Sequence, residues 1–265
     1  MKKILVLIVT VPNSNRIEAL EQSLEGCPHI RILKIPAVMY HRDTHAFNPN
    51  YSKQVALYGN ELSDGEIGCA ISHQLIYDKY KSEKETIVVL EDDARVKKVD
   101  HFVELVSKFI ERYSEKNAVL SLLPWDETTS KKESNENLLG IIPLVGNPPL
   151  TVGYVITPKA MLAMSKINFD FSYLPDWPPG NTRFYITKQG VVSHGDSSTE
   201  SLIDKLGRAK KKRNRIIIKL FFIPYFLNKR HFSGVREYFD FAIKPSFTWR
   251  VDKIRLRYFS KSRFL

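Results

Sequence analysis

Along the first 200 residues, short runs of β-branched and other apolar residues alternate with amphipathic stretches. The apolar runs have the length of buried strands, and the amphipathic stretches repeat their apolar residues at helical spacing. Strands that alternate with helices predict an α/β sandwich with a largely parallel sheet. Ligands of such folds usually bind at the carboxyl ends of the strands, so that edge is where site residues are expected.

The pattern defines the expected elements along the chain. Strands are predicted at residues 4–9, 31–35, 86–90, 118–123 and 152–156. Helices are predicted at residues 16–24, 64–81, 100–113 and 158–166. Residues 40–60 are rich in Asn, His and Tyr without a clear period, and we expect a loop over the site there.

The net charge of +11 is concentrated at the C-terminus. Residues 201–265 contain 18 Lys and Arg against 4 Asp and Glu, whereas residues 1–200 contain 22 against 25. We therefore predict a main domain at 1–204 and a basic, aromatic, helical extension at 205–265. Basic residues beside the largely apolar run 216–223 favour binding to an anionic membrane surface. The alternative is a C-terminal helix packed on the domain with a solvated basic face.

The cysteine count and the lengths of the apolar runs indicate the cellular compartment of the protein. The chain has 2 cysteines, too few for a disulfide framework, which indicates free thiols in a reducing compartment. The apolar run that follows Lys3 is short and lacks a cleavage site, so it is interpreted as the first strand rather than a signal peptide. No run reaches the roughly 20 apolar residues that a membrane-spanning helix needs.

Three consecutive acidic residues, Glu91, Asp92 and Asp93, follow directly after a strand-like apolar run. Adjacent carboxylates repel one another unless a cation or strong hydrogen-bond donors offset their charge. Mg²⁺ and Mn²⁺ prefer oxygen ligands and commonly share their coordination shell with substrate phosphates. The motif therefore indicates a divalent metal that bridges the protein to a nucleotide diphosphate. The alternative is a solvated acidic turn that caps a helix.

A second motif spans residues 62–73. Ser63 and Glu66 have the spacing of a helix capping box, and we favour that structural role for Glu66. Gly68 lies in an early turn of the predicted helix, where glycine disfavours helix, which indicates close approach by another backbone or a ligand. The motif ends in His73, although a lone histidine is more often structural than catalytic.

Two further residues are candidates for chemistry. Asp176 lies between prolines and beside Trp177, so apolar surroundings would make its carboxylate a stronger base for a sugar hydroxyl. Its alternative role is to cap a turn while Trp177 fills the core. His194 follows an apolar run and offers a neutral imidazole to a metal or phosphate group, or it is simply a surface histidine.

Taken together and in this order, these motifs resemble glycosyltransferase family 25, the lipooligosaccharide β-galactosyltransferase family. Residues 62–73 match the family's block Leu-Ser-x-Gly-Glu-x-Gly-Cys-x-x-Ser-His, and residues 90–93 match its Leu-Glu-Asp-Asp strand end. Weaker likenesses are residues 151–156 and the Pro-Asp-Trp at 175–177. The resemblance covers about residues 3–204. The chain departs from it after the first strand, where the family's Asn-Leu and Arg-Arg pairs are absent.

The resemblance implies an A-type glycosyltransferase fold, an α/β fold with a Rossmann-like mixed sheet flanked by helices, as the catalytic domain at 1–204. It implies inverting, metal-dependent transfer of a sugar, above all galactose, from a UDP-sugar to a saccharide or glycolipid acceptor in lipopolysaccharide, capsule or O-antigen biosynthesis. The cofactor would be Mn²⁺ or Mg²⁺. With the basic extension, this places the protein in the cytoplasm, peripherally on the inner face of the inner membrane.

The motifs and the resemblance together predict roles for individual residues. Asp176 would be the catalytic base. The metal ligands would be Asp93, Glu91 and His194. The predicted donor-binding residues are Val11, Arg16, Gly68, Ser72, His73, Glu91 and Asp92. An inactive sugar-nucleotide-binding scaffold is the alternative, and a nucleic-acid binder is disfavoured because carboxylates at a strand end would repel phosphates without a metal.

Overall fold

The first strand of the protein, Ile4–Thr10, lies inside a mixed sheet with helices on both faces. The structure is a computed structural model that describes residues 3–43, 47–58, 61–124, 140–143, 151–166, 171, 182–187 and 190–195. Two predictions lie outside the described residues, namely Asp176 as a base and the helical extension at 205–265.

The elements follow one another in the order β1 Ile4–Thr10, α1 Arg16–Leu24, β2 Ile30–Pro36, α2 Tyr51–Tyr58, α3 Asp64–Tyr80, β3 Ile87–Glu91, β4 Ala94–Val96, α4 Val99–Tyr113, β5 Ala118–Pro124, β6 Ile141–Pro143, β7 Gly153–Ile156, α5 Pro158–Ser165, β8 Arg183–Thr187 and β9 Val192–His194. Among the described residues, no helix is long and apolar enough to cross a membrane.

The main sheet has the strand order β2-β1-β3-β7-β5-β8-β6. Strand β1 pairs in parallel with both β2 and β3, and β5 pairs in parallel with β8. Strand β7 is antiparallel to both β3 and β5, and β6 is antiparallel to β8. The mixed sheet is confirmed, but the expectation of a largely parallel sheet is wrong for these pairings. Between β5 and β7 the described residues contain the short strand β6 and no helix, so the strand–helix alternation that predicts parallel neighbours is not seen there.

Two apolar layers enclose the sheet because successive side chains of β1 point to opposite faces. Val6 and Ile8 pack in the layer that contains α1 and α4, whereas Leu7 and Val9 pack in the layer that contains α3 and α5. In α4, the apolar residues that recur at helical spacing in the sequence lie on the buried face of the helix. The result is a helix–sheet–helix sandwich with one apolar cluster on each face of the sheet.

The four predicted helices are located to within one residue at either end. Helix α1 has the predicted bounds, and α3, α4 and α5 differ at their ends only. The expectation of a loop throughout residues 40–60 is wrong for Tyr51–Tyr58, which form α2. Strands β4, β6, β8 and β9 were not predicted. Those of three residues are too short to show an alternating pattern.

Helix α3 begins with the predicted capping box. The Ser63 N–H donates to Glu66 Oε2 at 2.9 Å, and the Glu66 N–H donates to Ser63 Oγ at 3.3 Å. The structural role favoured for Glu66 is confirmed. The cap starts α3 at Asp64, which directs the next turns of the helix towards the carboxyl edge of the sheet.

The close approach expected at Gly68 is made by another backbone. A Cβ placed on Gly68 would lie 2.5 Å from the carbonyl oxygen of Val38. One turn later, Ser72 Oγ accepts a hydrogen bond from the Val38 N–H at 2.8 Å and donates one to the Gly68 carbonyl oxygen at 2.7 Å. These two residues therefore hold the chain after β2 tightly against α3.

Replacing Gly68 with Ala should destabilise the protein by about 1–3 kcal/mol, because the new methyl group overlaps backbone rather than a movable side chain. At an open helical position the same change would instead stabilise by roughly 1 kcal/mol through helix propensity. Urea unfolding of both proteins measures the sign. A stabilised Gly68→Ala variant would contradict the close contact with Val38.

Candidate active site

The candidate site lies where β1 and β3 end side by side. These strands are parallel, with Val9 opposite Glu91, so the residues that follow each strand meet at one edge of the sheet. The early turns of α3 and the chain at Ala37–Tyr40 form the opposite wall. Together they surround a cleft of about 700 Å³, a volume that includes open solvent. All of the predicted donor-binding residues line this cleft, and so does Asp93.

Asp92 ties the end of β3 to the end of β1. Its buried carboxylate accepts hydrogen bonds at Oδ2 from the Val11 N–H at 3.1 Å and from Thr10 Oγ1 at 3.3 Å. The Arg16 guanidinium lies 4.0 Å from Oδ1. Protein donors thus already satisfy one oxygen of this carboxylate. Contact of Asp92 and Val11 with a donor substrate stays a prediction.

Asp93 carries the least compensated charge of the three acidic residues. Its Oδ2 lies 3.7 Å from Arg16 Nη1 and 3.4 Å from His194 Nε2, whereas its buried Oδ1 has no hydrogen-bond partner among the residues that the structure describes. Burial raises the pKa of Asp93, and the negative charge of Glu91 raises it further, which together outweigh the attraction of His194 and Arg16. A buried, unsatisfied carboxylate oxygen beside a histidine is a suitable place for a cation.

A short two-stranded sheet places His194 beside Asp93. Strands β4 and β9 pair antiparallel with Ala94 opposite His194, and the Gly195 N–H donates to the Asp93 carbonyl oxygen at 2.7 Å. A Cβ on Gly195 would lie 2.8 Å from that same oxygen, so the tight turn favours glycine. The half-exposed imidazole can then reach the carboxylate through Nε2. The structure therefore brings together two predicted metal ligands that lie far apart in sequence.

Glu91, the third predicted ligand, faces α3 instead. Thr151 Oγ1 donates to Glu91 Oε1 at 2.6 Å, and His73 Nε2 lies 3.5 Å from the same oxygen. Burial by itself would raise the pKa of Glu91, but the contacts with His73 and Thr151 outweigh it, so the pKa is lowered. Glu91 is therefore an ionised carboxylate with partners of its own.

A buried tyrosine pair orients His73. The imidazole Nδ1 lies 2.7 Å from Tyr154 Oη, which lies 3.1 Å from Tyr77 Oη. Burial, followed by the neighbouring Tyr77, raises the pKa of Tyr154 well above its usual value, so the phenol stays neutral. His73 thus belongs to a buried polar network, and a direct contact with the donor stays a prediction.

Thr10, Thr151 and Tyr154 support the acidic motif but were not predicted as site residues. The one sequence signal for two of them was the weak likeness at residues 151–156. Their partners are more than 50 residues away in sequence, so spacing within a motif does not reveal the contacts. Their shared function is to hold the carboxylates and His73 in fixed positions.

A mixed, helix-flanked sheet with a carboxylate-lined cleft at its strand ends is consistent with the Rossmann-like fold of glycosyltransferases. The sequence model of glycosyltransferase family 25 (LPS biosynthesis protein) matches residues 13–176. This match spans more than half of the chain, and the chain belongs to that family. No curated protein matches the chain. The protein is a glycosyltransferase of lipopolysaccharide biosynthesis, with a sugar donor and an acceptor as partners.

Replacing Asp93 with Asn should stabilise the metal-free protein at neutral pH, whereas replacing Glu91 with Gln should destabilise it. The pKa of Asp93 is raised on folding, so its ionisation costs stability as the pH rises from 3.8 through the raised value. The pKa of Glu91 is lowered, so its ionisation stabilises the fold above pH 4.5, and this is lost as the pH falls through the lowered value.

Urea unfolding with a chelator present measures both effects. The two variants each remove one negative charge from the same motif, so each serves as the control for the other. The difference between them should be large at neutral pH and shrink in mild acid. Equal destabilisation by both substitutions would show that the surrounding residues stabilise ionised Asp93 as much as they stabilise ionised Glu91.

Proposed function

We propose that the protein transfers a sugar, with inversion and with Mn²⁺ or Mg²⁺, from a UDP-sugar to a hydroxyl of a saccharide or glycolipid acceptor. UDP-galactose is the leading donor, and lipopolysaccharide, capsule or O-antigen chains are the acceptors. The supporting observation is the buried Asp93 Oδ1, which lines the cleft and has no hydrogen-bond partner among the described residues. The donor and stereochemistry follow from the family's resemblance rather than from this geometry.

The side chains around Asp93 suit a hard divalent cation. Asp93 offers a carboxylate with a raised pKa, and His194 offers an imidazole 3.4 Å away. We assign direct metal contact to these two residues. Glu91, whose Oε1 is held by Thr151, would act through a water or a ribose hydroxyl. When bound, the ion would offset negative charge on the departing diphosphate.

The walls of the cleft would position the donor. Arg16 contributes a positive charge within 4.0 Å of the acidic motif, where a diphosphate would also approach. Gly68 and Ser72 contribute indirectly, because they hold the chain at Val38 in place as one wall of the cleft. His73 would act on the donor through Glu91, which it contacts.

The acceptor hydroxyl needs a base on the face of the sugar opposite the diphosphate. We assign this role to Asp176, which lies between prolines in the sequence and falls inside the part of the chain that matches the family. A rigid, partly apolar segment would keep its carboxylate basic enough to take the proton.

The basic extension would bring the enzyme to its acceptor. Residues 205–265 contain 18 Lys and Arg against 3 Asp and Glu, so the net positive charge of the chain lies there, and anionic lipid attracts such segments by roughly 1 kcal/mol per charge near the surface. We propose a peripheral position on the cytoplasmic face of the inner membrane, where a glycolipid acceptor would be available. This proposal rests on charge and composition.

Replacing Asp93 with Asn should lower Mn²⁺-dependent release of UDP from UDP-galactose by at least about 100-fold, because one metal-binding charge is lost. A matched control is Asp78→Asn, which removes a carboxylate that is 43% exposed at the far end of α3 and pairs with Lys81. The control should keep full activity. Activity of Asp93→Asn near that of the control would refute the assigned metal site.

Replacing Asp176 with Asn should slow transfer to the acceptor by roughly 10²–10⁴-fold, the usual contribution of a general base. Affinity for the UDP-sugar should change little, because the base touches the acceptor rather than the diphosphate. Transfer rates and donor affinity are measured on the same protein. If both fall in parallel, Asp176 is a donor-binding or structural residue.

A further inference from the structure

A second group of potential metal ligands lies next to the acidic motif. Cys69 and His73 are one helical turn apart on α3, and Glu91 ends β3 opposite them. One potential ligand atom from each of these residues lies within 4.8 Å of the others, an arrangement found once among the described residues. His73 is 1% exposed, and within the described part of the chain its Nε2 has no hydrogen-bond partner. That nitrogen faces Glu91 Oε1 at 3.5 Å.

We propose that Cys69, His73 and Glu91 form a binding site for Zn²⁺ or a chemically similar borderline-soft divalent cation. A thiolate, an imidazole and a carboxylate are the ligand types that Zn²⁺ takes in proteins. Three protein ligands leave a fourth tetrahedral position open for water or a substrate atom. The proposed function assigns no role to Cys69, and this inference does not depend on that function.

The distances require only a small adjustment of the side chains. Ligands about 2.0–2.3 Å from Zn²⁺ at tetrahedral angles lie roughly 3.3–3.8 Å from one another. The His73 and Glu91 atoms are already 3.5 Å apart. The widest separation in the group is no more than 4.8 Å, and Cys69 lies on the first half of α3, where a change of side-chain torsion moves its sulfur.

Contacts behind the ligands hold two of them in a binding orientation. Tyr154 Oη contacts Nδ1 of His73 at 2.7 Å, which leaves Nε2 directed at the site. Thr151 donates to the Glu91 carboxylate at 2.6 Å and fixes its rotation. Hydrogen bonds of this kind to histidine and carboxylate ligands are a regular feature of protein metal sites.

The site is chemically distinct from the position beside Asp93. Asp93 turns towards Arg16 and His194, whereas Glu91 turns towards α3 and its cysteine. A hard cation prefers oxygen-rich surroundings, and a borderline-soft one gains from the thiolate. Because a bound ion would link α3 to β3, its binding should also raise the thermal stability of the protein.

The experiment is a titration of the full, reduced chain with Co²⁺, whose thiolate complexes absorb strongly in the near ultraviolet through charge transfer. The chain has 2 cysteines, so this band can come only from Cys69 or Cys27. Cys27 precedes β2, at the edge of the sheet opposite the cleft, and makes Cys27→Ala a matched control. We expect one equivalent of Co²⁺ to produce the band, and Zn²⁺ to abolish it by displacement.

The variants decide which cysteine binds. Cys27→Ala and Asp93→Asn should keep the band and the rise in melting temperature with Zn²⁺, and Cys69→Ala should lose both. If Cys69→Ala does not fold, Cys69→Ser retains the size of the side chain and should likewise lose the band. A wild-type complex without the charge-transfer band, or a band that survives either Cys69 substitution, would overturn the proposal. Asp93→Asn removes a ligand of the proposed transferase metal site. If the band is retained in this variant, binding at Cys69 is independent of that site, so the two proposals can fail separately.

Discussion

Electrostatic repulsion among three adjacent carboxylates is the constraint on which the site depends. Parallel pairing of β1 with β3 delivers Glu91, Asp92 and Asp93 to one partly buried edge, where water cannot fully screen them. Each charge is offset by a different part of the chain. Asp92 uses donors at the end of β1, and Glu91 uses Thr151 and His73. Among the described residues, Asp93 has only the more distant Arg16 and His194.

The remaining imbalance at Asp93 connects the fold to the chemistry. A carboxylate whose pKa is raised, and one of whose buried oxygens has no partner in the described part of the chain, destabilises the protein on its own and gains most from a cation. The neighbouring Asp92 and Glu91 each accept hydrogen bonds from the protein at one carboxylate oxygen, and a cation binding to that oxygen would have to replace these contacts. Within the same motif, Asp92 fixes the end of β3 against β1, whereas the negative charge of Asp93 is left poorly compensated. Membership in glycosyltransferase family 25 is consistent with one structural and one cation-binding carboxylate in this motif.

Close packing on the other side of the cleft is equally specific. Glycine at position 68 disfavours the helix, but its lack of a Cβ lets the backbone at Val38 approach α3. Ser72 then hydrogen-bonds to the Val38 N–H and to the Gly68 carbonyl oxygen. Behind them, Tyr77, Tyr154 and His73 form a buried chain of polar atoms that reaches Glu91. Buried networks of this kind hold side chains in one arrangement, because a lost partner leaves a polar group unsatisfied. The cleft is therefore a rigid extension of the core.

The sequence by itself determined the features that depend on near neighbours. Apolar periodicity defined α1 and α4, the spacing of Ser63 and Glu66 defined the start of α3, and the acidic run after a buried strand located the site edge. These features are visible because helices and capping boxes are built from residues within about four positions of one another.

Only the tertiary structure decided how distant segments meet. In the structure, β7 runs antiparallel to β3, contrary to the expected parallel sheet. The short strands β4 and β9 place His194 beside Asp93, and Glu91 faces Cys69 and His73. The structure also showed that the backbone at Val38, rather than a ligand, approaches Gly68. Such contacts join residues that lie tens of positions apart. They depend on strand order and packing, which local periodicity does not encode.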